Sequence, residues 1–318
     1  MGGPCVGKLP GRVHSRRSPI DFDAALPPNA RTMLTQIDRV QLVVAARAEV
    51  AALFARLLGT AVVREDRVPV LAARRSTLRL GTSEVELLEP DGSGPVADFL
   101  VASRGGLFAA GFATPDLAAL RAHLARRGVT AVEEGGQLHV TAQALGLPGL
   151  HAVISPVAER VPAGLLRHLY EVTYLVPAVP PATATAAAVF GLDAAHFVPI
   201  RSEEFGYEGT LTLFDPDRLD RLEIITPFDL SKTMGRFFTR RGPSLYMCFA
   251  EADDLPALRD RLRAHAPQDW TGVPDGPLDS LFIHPKALGG MMMGVSRTTF
   301  GWTWSGRPER VVAVPAGA

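Results

Sequence analysis

The chain has 318 residues, and its 33 Lys and Arg are balanced by 33 Asp and Glu. Apolar residues make up 47% and charged residues 21%. These are ordinary globular values, and the length suits roughly two domains, each large enough to bury a core. Only Lys8, Lys232 and Lys286 are lysines; the other basic residues are Arg. Balanced charge, with no basic run beyond pairs such as Arg240-Arg241, argues against a nucleic-acid surface. Two cysteines, Cys5 and Cys248, exclude a disulfide framework or a thiolate metal cluster and make the cytoplasm the default compartment.

Residues 1–32 carry Pro4, Pro10, Pro19, Pro27 and Pro28 among scattered basic residues, with no apolar stretch of signal-peptide length. A disordered leader is expected there, and Met33 is a candidate start of translation. The longest apolar stretch, Ala178 to Ile200, is broken by Pro180, Pro181 and Pro199, so no membrane span is expected.

From Ile37 the run IDRVQLVV alternates as a strand. Glu49 to Leu58 reads as a helix with Val50, Leu53, Phe54 and Leu57 on one face and Gly59 as its stop. Strands are expected at 68–72, 76–80 and 84–88, then a helix over about 95–103 and a strand over 107–113. Thr114-Pro115-Asp116 opens a helix that runs to Arg127. Strands near 138–142 and 150–155 close the unit. The order then recurs: strand 169–176, helix 181–190, strands near 197–200, 209–214 and 221–226, helix 230–239, strand 244–250, a helix from Asp253 to His265, and strands 280–284 and 291–296.

Each half therefore reads as β-α-β-β-β twice, which makes four copies and an α+β fold. One such copy is a curved sheet that needs a partner to bury its face, and two copies make a half-barrel around a cleft.

This layout resembles the vicinal oxygen chelate superfamily, which includes glyoxalases, ring-cleaving dioxygenases, methylmalonyl-CoA epimerases and bleomycin-binding proteins. The resemblance is carried by IDRVQLVV at Ile37, EVELLEP at Glu84, GPVADFL at Gly94 and FIHPKALGG at Phe282. The ELLEP, PVADFL and HPK-x-x-GG runs are most similar to the epimerase branch. It implies a first module over 33–158, a second over 159–314, and a tail at 315–318.

The resemblance also implies a divalent metal (Mg, Mn, Zn or Ni) held by four inward side chains, normally His, Gln or Glu. The first module offers Arg39, Glu86, Ala109 and Val153 at those places, one ligand of four. The second offers Glu171, Glu223, Met247 and Gly294, two of four, so the expectation is no cofactor, with a divalent metal in the second cleft as the alternative. Arg39 and Glu86 suit an ion pair where the ion sits in relatives, either structural or gripping a substrate anion. Met247, Met291, Met292 and Met293 suit core packing or an adaptable apolar pocket. His284 suits an acid, a base or a turn cap; Lys286 suits a substrate anion or a solvated turn.

Two functions fit these residues. One is a lyase- or isomerase-type enzyme acting on a carbonyl or acyl-thioester in the second cleft, with Glu223 and Glu171 as metal ligands or as an acid and base pair and His284 as helper; Arg39, Glu86, Met247, Met292 and Lys286 would contact substrate. The other is a metal-free protein that sequesters a small molecule, of the bleomycin-resistance type. The expected partner is a small-molecule ligand, with no nucleic acid and no membrane, bound by a monomer or homodimer.

Overall fold

The computed structural model describes residues 33–273 and 278–313. The leader and the tail, expected at 1–32 and 315–318, lie outside the described residues. The first module runs β1 (Gln36–Val43), α1 (Arg47–Leu58), β2 (Ala61–Val68), β3 (Ala73–Leu80), β4 (Ser83–Pro90), α2 (Pro95–Ser103), β5 (Gly106–Thr114), α3 (Leu117–Arg126), β6 (Val132–Glu134), β7 (Gln137–Val140), α4 (Ala142–Leu145) and β8 (His151–Pro156). The second runs β9 (His168–Leu175), α5 (Val179–Phe190), β10 (Phe197–Ser202), β11 (Tyr207–Leu213), β12 (Arg221–Pro227), α6 (Thr233–Arg241), β13 (Ser244–Ala252), α7 (Leu255–His265), β14 (Trp270–Gly272), β15 (Ser280–Ile283) and β16 (Met292–Arg297).

Each module is one eight-stranded sheet, ordered β2-β3-β4-β1-β5-β8-β7-β6 and then β10-β11-β12-β9-β13-β16-β15-β14. Within each copy the first and last strands pair parallel, and the two copies of a module join antiparallel through their first strands, β1 to β5 and β9 to β13. The four first strands thus lie at the centres of the two sheets, where their side chains are most deeply enclosed.

Alternation decides what faces where. Ile37, Val40 and Leu42 of β1 enter the main core, whereas Arg39 and Gln41 turn to the inner, concave face. The helices form for local reasons. α1 buries Phe54, Leu57 and Leu58 and stops at Gly59, whose left-handed backbone returns its N–H to the Ala55 carbonyl. α3 starts where Asp116 accepts from the Ala119 N–H, as a cap should.

The strand expected at 68–72 lies earlier, over Ala61–Val68, and residues 69–71 form a 3-10 turn. The reason is that β2 is an edge strand: most of AVVREDRV is exposed, so it carries no buried alternation to mark it. The three-residue edge strands β6 and β14 were equally unmarked, and α6 begins at Thr233 rather than 230.

One continuous apolar core runs through both modules, from Val40, Phe54 and Phe112 to Phe190, Phe214 and Leu258. Phe112 crosses the boundary directly, with ring centroids 5.2 Å from Phe190 and 5.9 Å from Phe214. Polar ties reinforce the joint: the Ile37 N–H donates to Asp220 at 2.9 Å, the Leu169 N–H to Ser83 at 2.9 Å, and Arg241 to the Ser103 carbonyl at 2.7 Å. A polar cavity of about 150 Å³ sits beside the first two ties, walled by Asp38, Arg160, His168, Arg218 and Asp220.

A shared core predicts that the modules unfold together. All three tryptophans, Trp270, Trp302 and Trp304, lie in the second module, so their fluorescence reports that module alone while far-UV circular dichroism reports both. Urea midpoints from the two probes are expected to coincide; separated midpoints would show independent units.

Candidate functional site

On the first module's inner face, Glu86 of β4 is fully buried and surrounded by donors. Arg39 donates to it at 2.7 Å, Gln41 at 2.8 Å and Gln137 at 2.9 Å, and Arg75 lies 3.3 Å away. Burial alone pushes a carboxyl up, yet the Arg39 and Arg75 guanidiniums and the two amides outweigh it and hold Glu86 at about 2. Arg75 also grips Asp66 with two hydrogen bonds and reaches Gln137 at 2.6 Å. Because β3 and β7 stand on opposite limbs of the half-barrel, the Arg75–Gln137 bond laces the cleft across its width. A second tie, from the Val70 N–H to Glu134 at 2.9 Å, does the same nearer the rim.

On the second module's inner face the charges are fewer. Glu171 of β9 and Glu223 of β12 face the same hollow, within hydrogen-bonding reach of one another. Arg221 donates to Glu171 at 2.7 Å through Nε, with Nη2 2.6 Å from the same oxygen. Thr173 donates to Glu223 at 2.6 Å, and Tyr207 of β11 lies against it. Burial raises Glu223 well above the usual carboxylate range and the Glu171 charge adds to this; burial raises Glu171 as well, against the pull of Arg221. Two carboxyls facing one guanidinium retain a proton, and Glu223, which lacks the direct Arg contact, is the group that holds it.

The two centres match in register. Gln41 pairs with Glu86 across β1 and β4 as Thr173 pairs with Glu223 across β9 and β12. Two residues back on the same face, Arg39 faces Glu84 in the first module and Glu171 faces Arg221 in the second. The same ion pair spans the same two strands with its ends exchanged.

The remaining wall of the second cleft is apolar. Met247 and Met292 sit side by side across β13 and β16, and Phe249 packs edge-on to Phe282 at 5.8 Å. In place of the Arg75–Gln137 bond, Gly209 and Ser280 occupy the equivalent register positions, and the limbs meet through Phe205 and Phe282 at 6.3 Å.

The metal expected from the resemblance does not fit these residues. No group of three or more His, Cys, Asp or Glu converges among the described residues. In the first module the Arg39 stem fills the centre: a Cβ on Gly111 would lie 2.0 Å from its Cγ. In the second, the fourth ligand place is Gly294, and a Cβ there would lie 2.2 Å from the Phe249 ring. Glu171 is already committed to Arg221, and Met247 brings a soft thioether that suits hard divalent ions poorly.

The expected Arg39–Glu86 pair is present, and it is locked within the network, 4% and 0% exposed. Met293 and Met291 belong to the core, and Met247 is buried on the inner face. His284 bonds Thr271 at the β14 edge and shares no partner with Glu171 or Glu223. Lys286 is 82% exposed, 4.0 Å from Asp269. The turn that holds them packs against the first module: Gly289 leaves no room for a Cβ beside Val50, and Gly290 meets Gly106. HPK-x-x-GG is thus a joint between modules. Sequence reasoning missed Arg75, Gln137, Arg221, Thr173 and Tyr207. Arg221, an arginine two residues before a candidate ligand on the same strand face, was the one visible signal among them.

This geometry, paired curved copies with a charged centre in each half-barrel, defines a double vicinal-oxygen-chelate fold. Residues 38–143 match the family model described as the Glyoxalase/Bleomycin resistance protein/Dioxygenase superfamily. That match lies within the first module, and the second sheet repeats the same strand order, so the chain has two tandem modules of this fold. Among solved structures it is similar to a mutant 4-hydroxymandelate synthase from Streptomyces coelicolor, at 14% identity and a TM-score of 0.63, covering 83% of this chain and 92% of that one. It is also similar to a fusion of a xylose isomerase-like TIM barrel with 4-hydroxyphenylpyruvate dioxygenase, at 12% identity and a TM-score of 0.58, covering 88% of this chain and 51% of that one. Methylmalonyl-CoA epimerase from Mycobacterium tuberculosis aligns at 22% identity and a TM-score of 0.35, over 42% of this chain and 89% of that one. At such identities the likeness concerns the fold alone. No curated protein matches. No helix among the described residues is long and apolar enough to cross a membrane.

The first centre predicts a specific pH dependence. Glu86 sits below its unfolded value, so its stabilising contribution is present above about 4.5 and is lost as pH falls towards about 2. The stability advantage of the native chain over Glu86→Gln, measured by urea unfolding, is expected to shrink across that window. Arg39→Met removes the cation that touches Asp38, Glu84 and Glu86 together, leaving the first two to Arg160 and the third to Arg75, and is expected to cost about 3 kcal/mol at pH 7.

Proposed function

We propose that the second module is the working one and that it moves protons on a carbonyl or acyl-thioester substrate, as a lyase or isomerase does. The observation that carries this reading is the Glu171–Glu223 pair, two buried carboxyls balanced by one guanidinium. Such a pair supplies an acid and a base at once. Glu223, protonated, donates to the carbonyl oxygen as negative charge develops there. Glu171, ionised, is the base for the proton on the neighbouring carbon. Return of the proton to carbon completes an isomerisation, and loss of a leaving group instead completes an elimination. Arg221 holds Glu171 in place, while Thr173 and Tyr207 orient Glu223. His284 and Lys286 have no part in it. The first module, laced across its cleft, supports the second through their common core.

The apolar wall of Met247, Phe249, Phe282 and Met292 favours a second reading, sequestration of an apolar small molecule without turnover.

The test is solvent exchange. In D₂O, the native protein is expected to wash deuterium into the carbon beside the carbonyl of a 2-methyl acyl-CoA or of a glyoxal hemithioacetal, followed by proton NMR. Glu223→Gln is expected to slow this at least ~100-fold. Absence of exchange with both compounds defeats the enzymatic reading. Tight binding without exchange, unchanged by EDTA, would put sequestration in its place.

A further inference from the structure

We propose that both modules have replaced a central divalent ion with an internal guanidinium, Arg39 in the first and Arg221 in the second, so that neither cleft takes a metal. This bears on the same cleft as the proton-transfer reading but does not depend on turnover.

Three observations converge on it. First, the ion pair recurs at one register position with its ends exchanged: Arg39 opposite Glu84, and Glu171 opposite Arg221. Retention of a residue at a fixed place would say only that the place is structural. Exchange of the ends says that the position requires a cation beside the inner carboxylates, and that either strand serves to deliver it. Second, both guanidiniums are sealed in. Arg221 is fully buried and Arg39 is 4% exposed, so neither is a surface pair that water could replace. An arginine so placed is held by its acids, because a buried guanidinium without them would not persist. Third, each centre is filled by side chains that leave no room for a further ligand. Gly111 yields to the stem of Arg39, and Gly294 yields to the ring of Phe249. Each glycine has negative φ or an ordinary strand conformation, so it is there for room rather than for backbone freedom.

A guanidinium suits the exchange chemically. It carries a permanent charge and offers donors in a plane, which satisfies carboxylate oxygens by hydrogen bonds rather than by coordination. It cannot bind two substrate oxygens through open coordination positions. Any chemistry in the second cleft is then left to the protein's own acids.

Two measurements test this. The first is metal content of the full-length protein, purified without chelator, by inductively coupled plasma mass spectrometry, together with melting in added Mn²⁺, Ni²⁺ and Zn²⁺ and in EDTA. Less than one tenth of an equivalent of any of these metals, and a Tm unmoved by EDTA or by the added ions, is expected. A stoichiometric ion, or a Tm lowered by EDTA, overturns the proposal even if proton exchange is observed. The second measurement is chemical rescue. Arg221→Ala is expected to lower Tm by roughly 10 °C, and guanidinium chloride at low millimolar concentration is expected to recover part of it while leaving the native protein unchanged. If Arg221→Ala melts like the native protein, or if guanidinium recovers nothing, the cation role of Arg221 is wrong. Should that variant fail to fold, Arg221→Lys, which keeps the charge, is expected to fold where Arg221→Ala does not; failure of both would overturn the proposal.

Discussion

A carboxylate on the inner face of a half-barrel sits where water cannot reach it, and it must find a counter-charge there or keep a proton. Everything distinctive in this molecule follows from how that requirement is met. Glu86 and Glu223 stand at the same register position in the two modules, one beside Gln41 and the other beside Thr173. Around Glu86 the chain gathers two guanidiniums and two amides, and the group is a firm anion. Around Glu223 it gathers two hydroxyls and a second carboxyl, and burial prevails. One fold thus holds two carboxyls with opposite proton habits, set by neighbours on adjacent strands.

The asymmetry extends to the limbs of each cleft. A hydrogen-bonded lace of Arg75 and Gln137 is directional and buried, and opening it would leave charged and amide groups unpaired. The Phe205–Phe282 contact across the second cleft has no such requirement, since an aromatic ligand or another apolar group satisfies the rings equally well. The module with the unbalanced acid is also the module whose limbs meet through an apolar contact rather than a buried polar one.

Much of the fold was legible because buried strands write a period of two into the sequence. IDRVQLVV, EVELLEP and LYEVTYLV each show their inner residues at alternate positions, and the fourfold recurrence of strand, helix and three strands was visible. The edge strand Ala61–Val68 was misplaced because exposure removes the alternation that marks a strand. Within the site, Glu86, Glu171, Glu223 and Arg39 were found because each occupies a fixed place on a first or last strand. Their partners were not. Gln137 reaches Glu86 from β7, and Arg75 reaches Gln137 from β3, contacts that depend on curvature bringing distant strands together. Tyr207 reaches Glu223 from the adjacent strand β11, although its own pairing partner there is Pro227, four residues further on. The HPK-x-x-GG run misled in another way: its glycines suit a turn near a ligand, but they are small because a neighbouring module packs against them.

That joint bears on why two modules persist when only one keeps an unbalanced acid. The four copies share a single core, with Phe112 of the first module wedged between Phe190 and Phe214 of the second. The Ile37 N–H, at the start of the strand that carries Arg39, is satisfied by Asp220, the residue immediately before Arg221. Removing the first module would therefore strip a hydrogen-bond donor from the carboxyl that sits next to Arg221 of the second centre. Asp220 is itself buried at this joint, where burial pushes it up to about 6 against the pull of Arg218, so the Ile37 N–H is one of the few groups that satisfy it there. The first centre is tied by its own ion pairs, and through the shared core and the Ile37–Asp220 bond it abuts β12, whose inner residues Arg221 and Glu223 stand in register with Glu171 and Thr173 of β9.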